Sequence, residues 1–386
     1  MADLQVRDLG LEDLDAALDV RLRSFGPPSG ETRWWGTLFE RVVGARRALG
    51  VFADELLVGC TRIHGYRQVW GGRALPMAGM AGVVVAPEWR GRGVSRLLLT
   101  AAMERAIALG DVLSVLFPAV PAPYRRLGWE VAGAVSRTTF PAELLRNLVG
   151  PAVDVRRATV ADTEEIVELL RRESAASRAC GPLELTHDDV AELLVDTDNF
   201  CYLAADGFLA YAWDGKDLLV ERLTAETPET TRALWAVVGS GASVVRRIST
   251  YLPAHDPIHW ILDGLADLDV QEDRWMLRLL DARAAVAGRG FPAGLTADVP
   301  LTLVDPWLDG CAGSFRLRVR DGSGDLTSAV GSSDAVILGP NGLAALYAGT
   351  PMPTLRGSGL AACGSAEGDA LLDAAFASRC YLIDSF

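Results

Sequence analysis

The segment "VVVAPEWRGRGVSRLLL", residues 83–99, constrains the fold more than any other part of this 386-residue chain. A run of valines, typical of a buried strand, leads through a loop of arginine and glycine into a helical pattern. Such a loop can point several backbone N–H groups at one place, at the positive end of the helix dipole. The segment therefore predicts an α/β domain with an anion site that suits a pyrophosphate.

The loop combines positive charge with room for a ligand. Arg90 and Arg92 supply charge that phosphates can share, and Gly91 and Gly93 let the backbone approach closely. Arginine and glycine also occur in turns that merely cap a helix. The prediction of a phosphate site therefore rests on the strand, the loop and the helix following one another directly. The predicted phosphate-binding residues are Arg90, Gly91, Arg92, Gly93, Val94 and Ser95.

The alternation of strands and helices restarts near Gly150 and Pro151. The segment "VDVRRATVADTEEIVELLRRESA" repeats the order of the opening "LQVRDLGLEDLDAALDVRLRS", namely a strand, an acidic helix start and an arginine-rich helix end. Short strands and late helices of a third segment begin near Ala287. We therefore expect α/β, α/β and α+β domains, with the boundaries 1–149, 150–286 and 287–386.

Charge and cysteine usage narrow the class of protein. The net charge of −13 argues against nucleic acid or an anionic membrane as the main partner. The six cysteines lie far apart without a C-x-x-C pair, which indicates reduced thiols packed as small hydrophobes. The first residues lack the pattern of a signal peptide, and no stretch approaches the length of a membrane span. We therefore expect a cytoplasmic protein.

The loop resembles a known cofactor signature. Arg90-x-x-Gly93-x-Ser95 is similar to the coenzyme A signature of the GNAT acetyltransferases, Arg/Gln-x-x-Gly-x-Gly/Ala, from which Ser95 is a mild departure. The resemblance implies acetyl-CoA as co-substrate, with its pantetheine arm paired to the preceding strand, Val83, Val84 and Val85. The N–H of Val83 or Val85 would then stabilise the oxyanion that forms when an amine attacks the thioester.

A tyrosine near the end of the next strand is the candidate acid. In GNAT enzymes, a tyrosine just before a turn like that in "PYRRLGW" lies near the thioester sulfur, and Tyr124 has this place. Its phenol would protonate the leaving thiolate. The alternative is a tyrosine that packs on the sheet with its hydroxyl in water. His64 we expect to be a surface residue of a strand rather than the base.

Over nearly its whole length, the chain resembles the Eis (enhanced intracellular survival) family. The resemblance rests on one GNAT unit with the loop, a second without it, and the segments "WMLRLLDARAAVAGRGFP", "DPWLDGCAGSFRLRV" and "LGPNGLAALYAG". It implies a sterol-carrier-like third domain, a hexamer and a base formed by the C-terminal carboxylate, here that of Phe386. This role would explain why the chain ends in the apolar "CYLIDSF".

The acceptor of the acetyl group is less constrained. By the same resemblance, Phe25, Trp34, Trp35 and Ser385 would line the substrate pocket of an enzyme that acetylates an aminoglycoside or another polyamine by direct attack in a ternary complex. Ser24 and Ser385 stand where the family often has acidic residues, and the two tryptophans fit a core equally well.

Three other interpretations remain. The enzyme could acetylate protein lysines, or the chain could be a non-catalytic lipid-binding protein, although the intact loop and Tyr124 argue against the latter. His255 and His259 are spaced like metal ligands, but no cysteine or acidic residue offers a third ligand at a matching spacing. We therefore predict no metal site.

Overall fold

The computed structural model of the chain describes residues 3–26, 32–148, 150–253, 255–262, 264, 268–384 and 386, apart from the side chains of residues 32–35. Its elements fall into three units in chain order. The first unit comprises β1 (Leu4–Asp8), α1 (Leu14–Phe25), α2 (Thr32–Gly44), β2 (Ala48–Ala53), β3 (Leu56–Trp70), β4 (Arg73–Val85), α3 (Val94–Ala108), β5 (Leu113–Leu116), α4 (Ala122–Arg125) and β6 (Glu130–Pro141).

The second unit comprises β7 (Arg156–Arg157), α5 (Thr163–Ala176), β8 (Cys180–Leu183), α6 (His187–Val195), β9 (Asn199–Ala204), β10 (Gly207–Asp214), β11 (Asp217–Ala225), α7 (Pro228–Gly239), β12 (Arg247–Tyr251), α8 (Ile258–Ile261) and β13 (Asp269–Leu279). The third comprises α9 (Ala282–Gly288), β14 (Ala297–Leu303), β15 (Gly313–Arg320), β16 (Ser323–Ser328), β17 (Val336–Leu338), α10 (Pro340–Tyr347), α11 (Met352–Gly357), β18 (Ala361–Ala362), α12 (Ala366–Phe376) and β19 (Tyr381–Leu382).

The first two units share one sheet. Within the described residues it has 14 strands, in the order β1-β2-β3-β4-β5-β13-β6-β12-β11-β10-β9-β7, with β8 on β3 and β19 on β6. The two units are joined by a strand exchange: β13 of the second unit lies between β5 and β6 of the first and is antiparallel to both. No local sequence pattern indicates this exchange, since the strands that pair are far apart along the chain.

The predicted internal repeat is visible in the way each unit begins. Arg7 donates to both carboxylate oxygens of Asp13 at 2.7 and 2.9 Å, just before α1. Arg156 holds Asp162 in the same way, at 2.9 and 2.7 Å, just before α5. Each aspartate also accepts from a backbone N–H three residues earlier, at 2.8 Å. The two units therefore start their first helices with the same local structure.

The third unit adds a separate sheet of five described strands, β16-β15-β14-β17-β18, with the helices α10, α11 and α12. Its core is continuous with that of the first unit. The ring of Trp70 on β3 lies 4.7 Å from the ring of Tyr347 on α10 and 6.3 Å from that of Trp275 on β13. All three side chains are fully buried, so aromatic packing joins the units. No helix in the described part of the chain is both long and apolar enough to span a membrane.

Strands β4 and β5 diverge, and this positions the site. The two run parallel and pair where Met77, Ala78 and Gly79 face residues 113–115. Further along β4, the register with β3 shifts by one residue, from Arg62–Ala81 to Cys60–Val84. Gly82, inside this bulge, has a φ of +59°, which a residue with a side chain rarely adopts. A cleft therefore opens beside the last residues of β4.

Candidate active site

Most of the predicted site residues of the first unit line one cavity of about 1010 Å³, beside the C-terminal end of β4. It is lined by predicted residues from five parts of the unit: Phe25, Val83, Val84, Val85, Arg90, Gly91, Arg92, Gly93, Val94, Ser95 and Tyr124. The other lining residues include Ser24, whose hydroxyl donates to the carbonyl oxygen of Val85 at 3.2 Å. The structure thus brings together residues that are separated by up to a hundred positions along the chain.

The cavity is strongly cationic although the whole chain carries a net charge of −13. Four arginines line it, namely Arg90, Arg92, Arg96 and Arg126, and its lining among the described residues contains no Asp or Glu. None of the four arginines forms an ion pair with a carboxylate in the described part of the chain. The Arg92 guanidinium lies 5.0 Å from the centre of the Trp89 ring. A polyanion is the complementary ligand.

The backbone of the loop is shaped for an anion. Gly91 and Gly93 have φ values of +75° and +84°, and Gly93 is the N-terminal cap of α3. A Cβ atom built on either glycine would meet no protein atom within 4 Å, so both face open space. The first N–H groups of α3, which begins at Val94, have no partner within the helix and are available to a bound phosphate.

The end of β4 offers backbone donors to the cleft. The N–H of Ala86 donates to the Val58 carbonyl oxygen at 2.9 Å, on the β3 side. Because successive N–H groups of a strand point to opposite sides, those of Val85 and Val83 point away from β3, toward the cleft left by β5. These are the two N–H groups of which, by the resemblance to GNAT enzymes, one or the other would stabilise the oxyanion.

Tyr124 lies on the short helix α4 with its ring packed edge-on against Trp129, at a centroid distance of 6.3 Å. Burial raises the pKa of its phenol above the ordinary value, so the hydroxyl keeps its proton at neutral pH. No hydrogen bond to this hydroxyl occurs among the described residues, and Tyr124 lines the cavity. The ring of Tyr124 thus packs on the core, and the residue also borders the cavity.

The C-terminal segment reaches the first unit. Tyr381 and Leu382 form β19, which runs parallel to β6 opposite residues 134–135. Arg222 on β11 then donates to a carboxylate oxygen of Asp384 at 2.7 Å, and both side chains are largely buried. The tail is therefore held by the first and second units at once.

The ring of Phe386 lies where β4 and β5 part. It is 5.2 Å from the ring of Tyr66 on β3 and 5.5 Å from that of Phe117, which directly follows β5. It also covers Gly79, the last residue of β4 that pairs with β5. Phe386 does not line the cationic cavity; its ring lies against β4 at Gly79, upstream of the strand residues that do.

The histidine near the tail is buried, so the prediction that His64 lies on the surface is wrong. Its side chain is 8% exposed and stacks on Tyr66 at 5.7 Å. Burial, together with the neighbouring charges of Arg62, Arg41 and Arg47, lowers its pKa to about 4. Such an imidazole is a weak proton acceptor at neutral pH.

Three of the predicted substrate contacts lie outside the described part of the structure. Trp34 and Trp35 belong to α2, but their side chains lie outside the described part of the structure, as does the whole of Ser385. Among the described residues, no group of three or more His, Cys, Asp or Glu side chains could hold a metal ion.

Sequence reasoning missed several residues of the site. Arg126 and Trp307 line the cavity, and the Trp307 indole N–H donates to the Arg126 carbonyl oxygen at 3.1 Å. Trp307 belongs to the third unit, so no local motif indicates it. The glycines of β4 did carry a signal, because Gly79 and Gly82 interrupt an otherwise apolar strand, which is typical of a bulge or a close approach.

Comparison with known proteins agrees with this geometry. Two models of the acetyltransferase (GNAT) domain match residues 5–132 and 187–279, and a model of the sterol carrier protein domain matches residues 282–380. The tandem GNAT folds and the sterol-carrier-like domain that the resemblance implied are therefore confirmed.

Three relatives extend the comparison to most or all of the chain. N-acetyltransferase Eis of Mycobacterium tuberculosis is 28% identical over 328 residues, 79% of each chain. The crystal structure of a GCN5-related N-acetyltransferase from Kribbella flavida is 46% identical and covers 100% of this chain and 98% of its own, with a TM-score of 0.96. The crystal structure of Eis1 from Mycobacterium abscessus, 20% identical, covers 99% of this chain and 100% of its own with a TM-score of 0.77, which shows the fold.

Together, the two acetyltransferase domains and the named relatives define an enzyme that transfers an acetyl group. More particularly, the chain belongs to the GCN5-related N-acetyltransferase (GNAT) family, in its Eis-like group of two GNAT domains followed by a sterol carrier domain.

Proposed function

We propose that this enzyme transfers the acetyl group of acetyl-CoA to an amine by direct attack in a ternary complex, at the first unit alone. The observation that carries the proposal is the cationic cavity with its four arginines, beside the C-terminal end of β4. The phosphates of coenzyme A would lie on residues 90–95, and the pantetheine arm would pair with Val83, Val84 and Val85 in the place that β5 has left.

The catalytic steps follow from the groups around the cleft. The amine nitrogen attacks the thioester carbon, and the carbonyl oxygen takes up the negative charge beside the N–H groups of Val83 and Val85. When the C–S bond breaks, the Tyr124 hydroxyl gives its proton to the departing sulfur. Because burial raises the pKa of the Tyr124 phenol, the phenol does not lose its proton to water. The proton leaves only when the more basic thiolate forms.

The base is proposed to be the C-terminal carboxylate of Phe386, which takes the proton of the attacking amine. Its ring is held by Tyr66, Phe117 and the surface of Gly79, so the carboxylate is attached to an anchored residue rather than to a loose end. The weakly basic His64, the histidine that stacks on Tyr66, does not suit this role. Cofactor and base would then approach the acetyl group from different positions along β4.

The acceptor is proposed to be a polyamine, with an aminoglycoside as the first candidate. The support is the resemblance to N-acetyltransferase Eis and the net charge of −13, which attracts cations. We further propose residues 1–149 as the catalytic domain, 150–286 as a unit without a cofactor site, 287–386 as the domain that delivers the tail, and a hexamer as the assembly. Release of free coenzyme A in the presence of aminoglycosides, simple polyamines or lysine peptides would identify the acceptor.

Calorimetry with two matched glycine variants tests the cofactor site. Gly93→Ala and Gly110→Ala place the same methyl group at opposite ends of α3, where φ is +84° and +86° and no protein atom lies within 4 Å of the new carbon. Both changes carry the same backbone strain. We expect one acetyl-CoA per chain, a loss of affinity of about tenfold or more for Gly93→Ala, and a change within about twofold for Gly110→Ala. Equal affinities in the two variants, or two molecules bound per chain, would contradict the proposal.

A further inference from the structure

Two cysteines that are far apart in the sequence lie side by side where the tail meets the second unit. Cys180 begins β8, and Cys380 directly precedes β19. The backbones of these strands approach so closely that a Cβ atom on Gly181 would overlap the carbonyl oxygen of Tyr381. Each thiol shifts the pKa of the other, that of Cys180 downward and that of Cys380 upward.

The surroundings of this pair favour a thiolate on Cys180. Its sulfur accepts from the backbone N–H of Gly71 at 3.1 Å and from a guanidinium nitrogen of Arg289 at 3.9 Å. The same guanidinium nitrogen donates to the Ser378 hydroxyl at 3.4 Å, and that hydroxyl lies 3.8 Å from the sulfur of Cys380. One buried arginine therefore contacts both halves of the pair, directly or through Ser378.

The other buried cysteines have a different environment. The neighbouring thiol of Cys380 and the charge of Arg289 outweigh burial and lower the pKa of Cys180 to about 6. Burial instead raises the pKa of Cys60 to about 12 and those of Cys201 and Cys311 to about 11. Since the thiolate is the reactive form, Cys180 is set apart from the cysteines that merely pack.

Small molecules can reach this place. Cys180, Ser378 and Arg289 line a cavity of about 1130 Å³ between the second and third units, which is separate from the cationic cavity. Cys180 thus borders a space that a dissolved oxidant can enter, although its side chain is itself only 4% exposed.

We propose that Cys180 and Cys380 are a modification site at which hydrogen peroxide forms a reversible disulfide that ties the C-terminal tail to the second unit. The thiolate of Cys180 attacks one peroxide oxygen and becomes a sulfenic acid, with release of hydroxide. The thiol of Cys380 then attacks that sulfur, and water leaves. In sum, two thiols and one peroxide yield one disulfide and two waters, and a small dithiol reverses the reaction.

The disulfide would fix residue 380, six positions before the terminal phenylalanine. Formation of the disulfide does not depend on the proposed function. An effect of the disulfide on turnover does depend on it, because Phe386 has a catalytic role only in the proposed function. Peptide mapping therefore tests the site even if the enzyme acetylates none of the amines tried.

The test uses the full chain with Cys363→Ser, which removes an exposed thiol that would link molecules to one another. The protein is treated with a few equivalents of hydrogen peroxide, alkylated, digested and analysed by mass spectrometry. We expect the linked pair Cys180–Cys380 in most molecules, loss of the link on treatment with dithiothreitol, and free Cys60, Cys201 and Cys311. Amide exchange of residues 381–382 should slow about tenfold on oxidation.

Single variants identify the attacking sulfur. With Cys180→Ser, we expect Cys380 to stay reduced, whereas with Cys380→Ser we expect a sulfenic acid on Cys180 that dimedone traps. Far-UV circular dichroism shows whether each variant is folded. If a variant is not folded, peptide mapping of the parent protein alone tests whether the disulfide forms. Thiols that stay reduced in the folded parent, a different pairing, or a link that forms only after denaturation would overturn the proposal.

Discussion

A single methyl group on β4 tests whether the tail acts where the structure holds it. In Gly79→Ala, the new carbon would come 2.7 and 2.9 Å from two atoms of the Phe386 ring and 3.1 Å from the ring of Tyr66. Carbon atoms in contact are normally about 3.5–4.0 Å apart. The Phe386 ring must therefore move by about 1 Å, because the strand beneath it is paired on both sides.

The expected effect falls on turnover rather than on cofactor binding. A displacement of about 1 Å of a catalytic group can cost on the order of a hundredfold in rate, so we expect kcat to fall by about that factor. The loop at residues 90–95 does not contact the new methyl group, so affinity for acetyl-CoA should stay within about twofold. Calorimetry measures the affinity, and coenzyme A release with a saturating acceptor measures kcat.

Two variants separate this effect from a general disturbance of the protein. Gly294→Ala makes the same chemical change in open space, with no protein atom within 4 Å, and should leave kcat unchanged. Phe386→Leu keeps the terminal carboxylate but removes part of the clashing ring, so in that background Gly79→Ala should cost less than about threefold. Full activity of Gly79→Ala, or the same loss in both backgrounds, would refute the coupling of Gly79 to Phe386.

Three further predictions concern the acid, the base and the anchor of the tail. Tyr124→Phe should lower kcat by about a hundredfold or more with unchanged acetyl-CoA affinity; calorimetry and steady-state rates check this, and a loss below about twofold would make Tyr124 a packing residue. Amidation of the C-terminus by semisynthesis removes the charge of Phe386 and keeps its ring, so activity should collapse while acetyl-CoA still binds; full activity would exclude the carboxylate as base. Arg222→Met leaves the largely buried Asp384 without its partner, at a cost of about 1–3 kcal/mol to docking of the tail, and carboxypeptidase should then remove the C-terminal residues faster than in the parent enzyme.

The parts of the site that sequence reasoning located are contiguous in the chain. Residues 83–95 form a strand, a loop and a helix start, and each is specified by short-range preferences: β-branched residues for the strand, glycines for positive φ, and apolar spacing for the helix. Tyr124 lies in a similarly local turn. The start of the second unit is indicated by the repeated order of a strand, an acidic helix start and an arginine-rich helix end, and the structure adds the matching ion pairs Arg7–Asp13 and Arg156–Asp162.

The tertiary structure decided which distant residues meet. Four features depend on contacts between segments far apart in the chain: the exchange of β13 into the first unit, the packing of the Phe386 ring on Gly79, the position of Trp307 at the cationic cavity, and the approach of Gly181 to Tyr381 beside the two cysteines. The sequence by itself determined the elements and the loop, because backbone preferences act within a few residues. Contacts between distant segments depend instead on how whole sheets and cores pack, and no short pattern in a single chain encodes that choice.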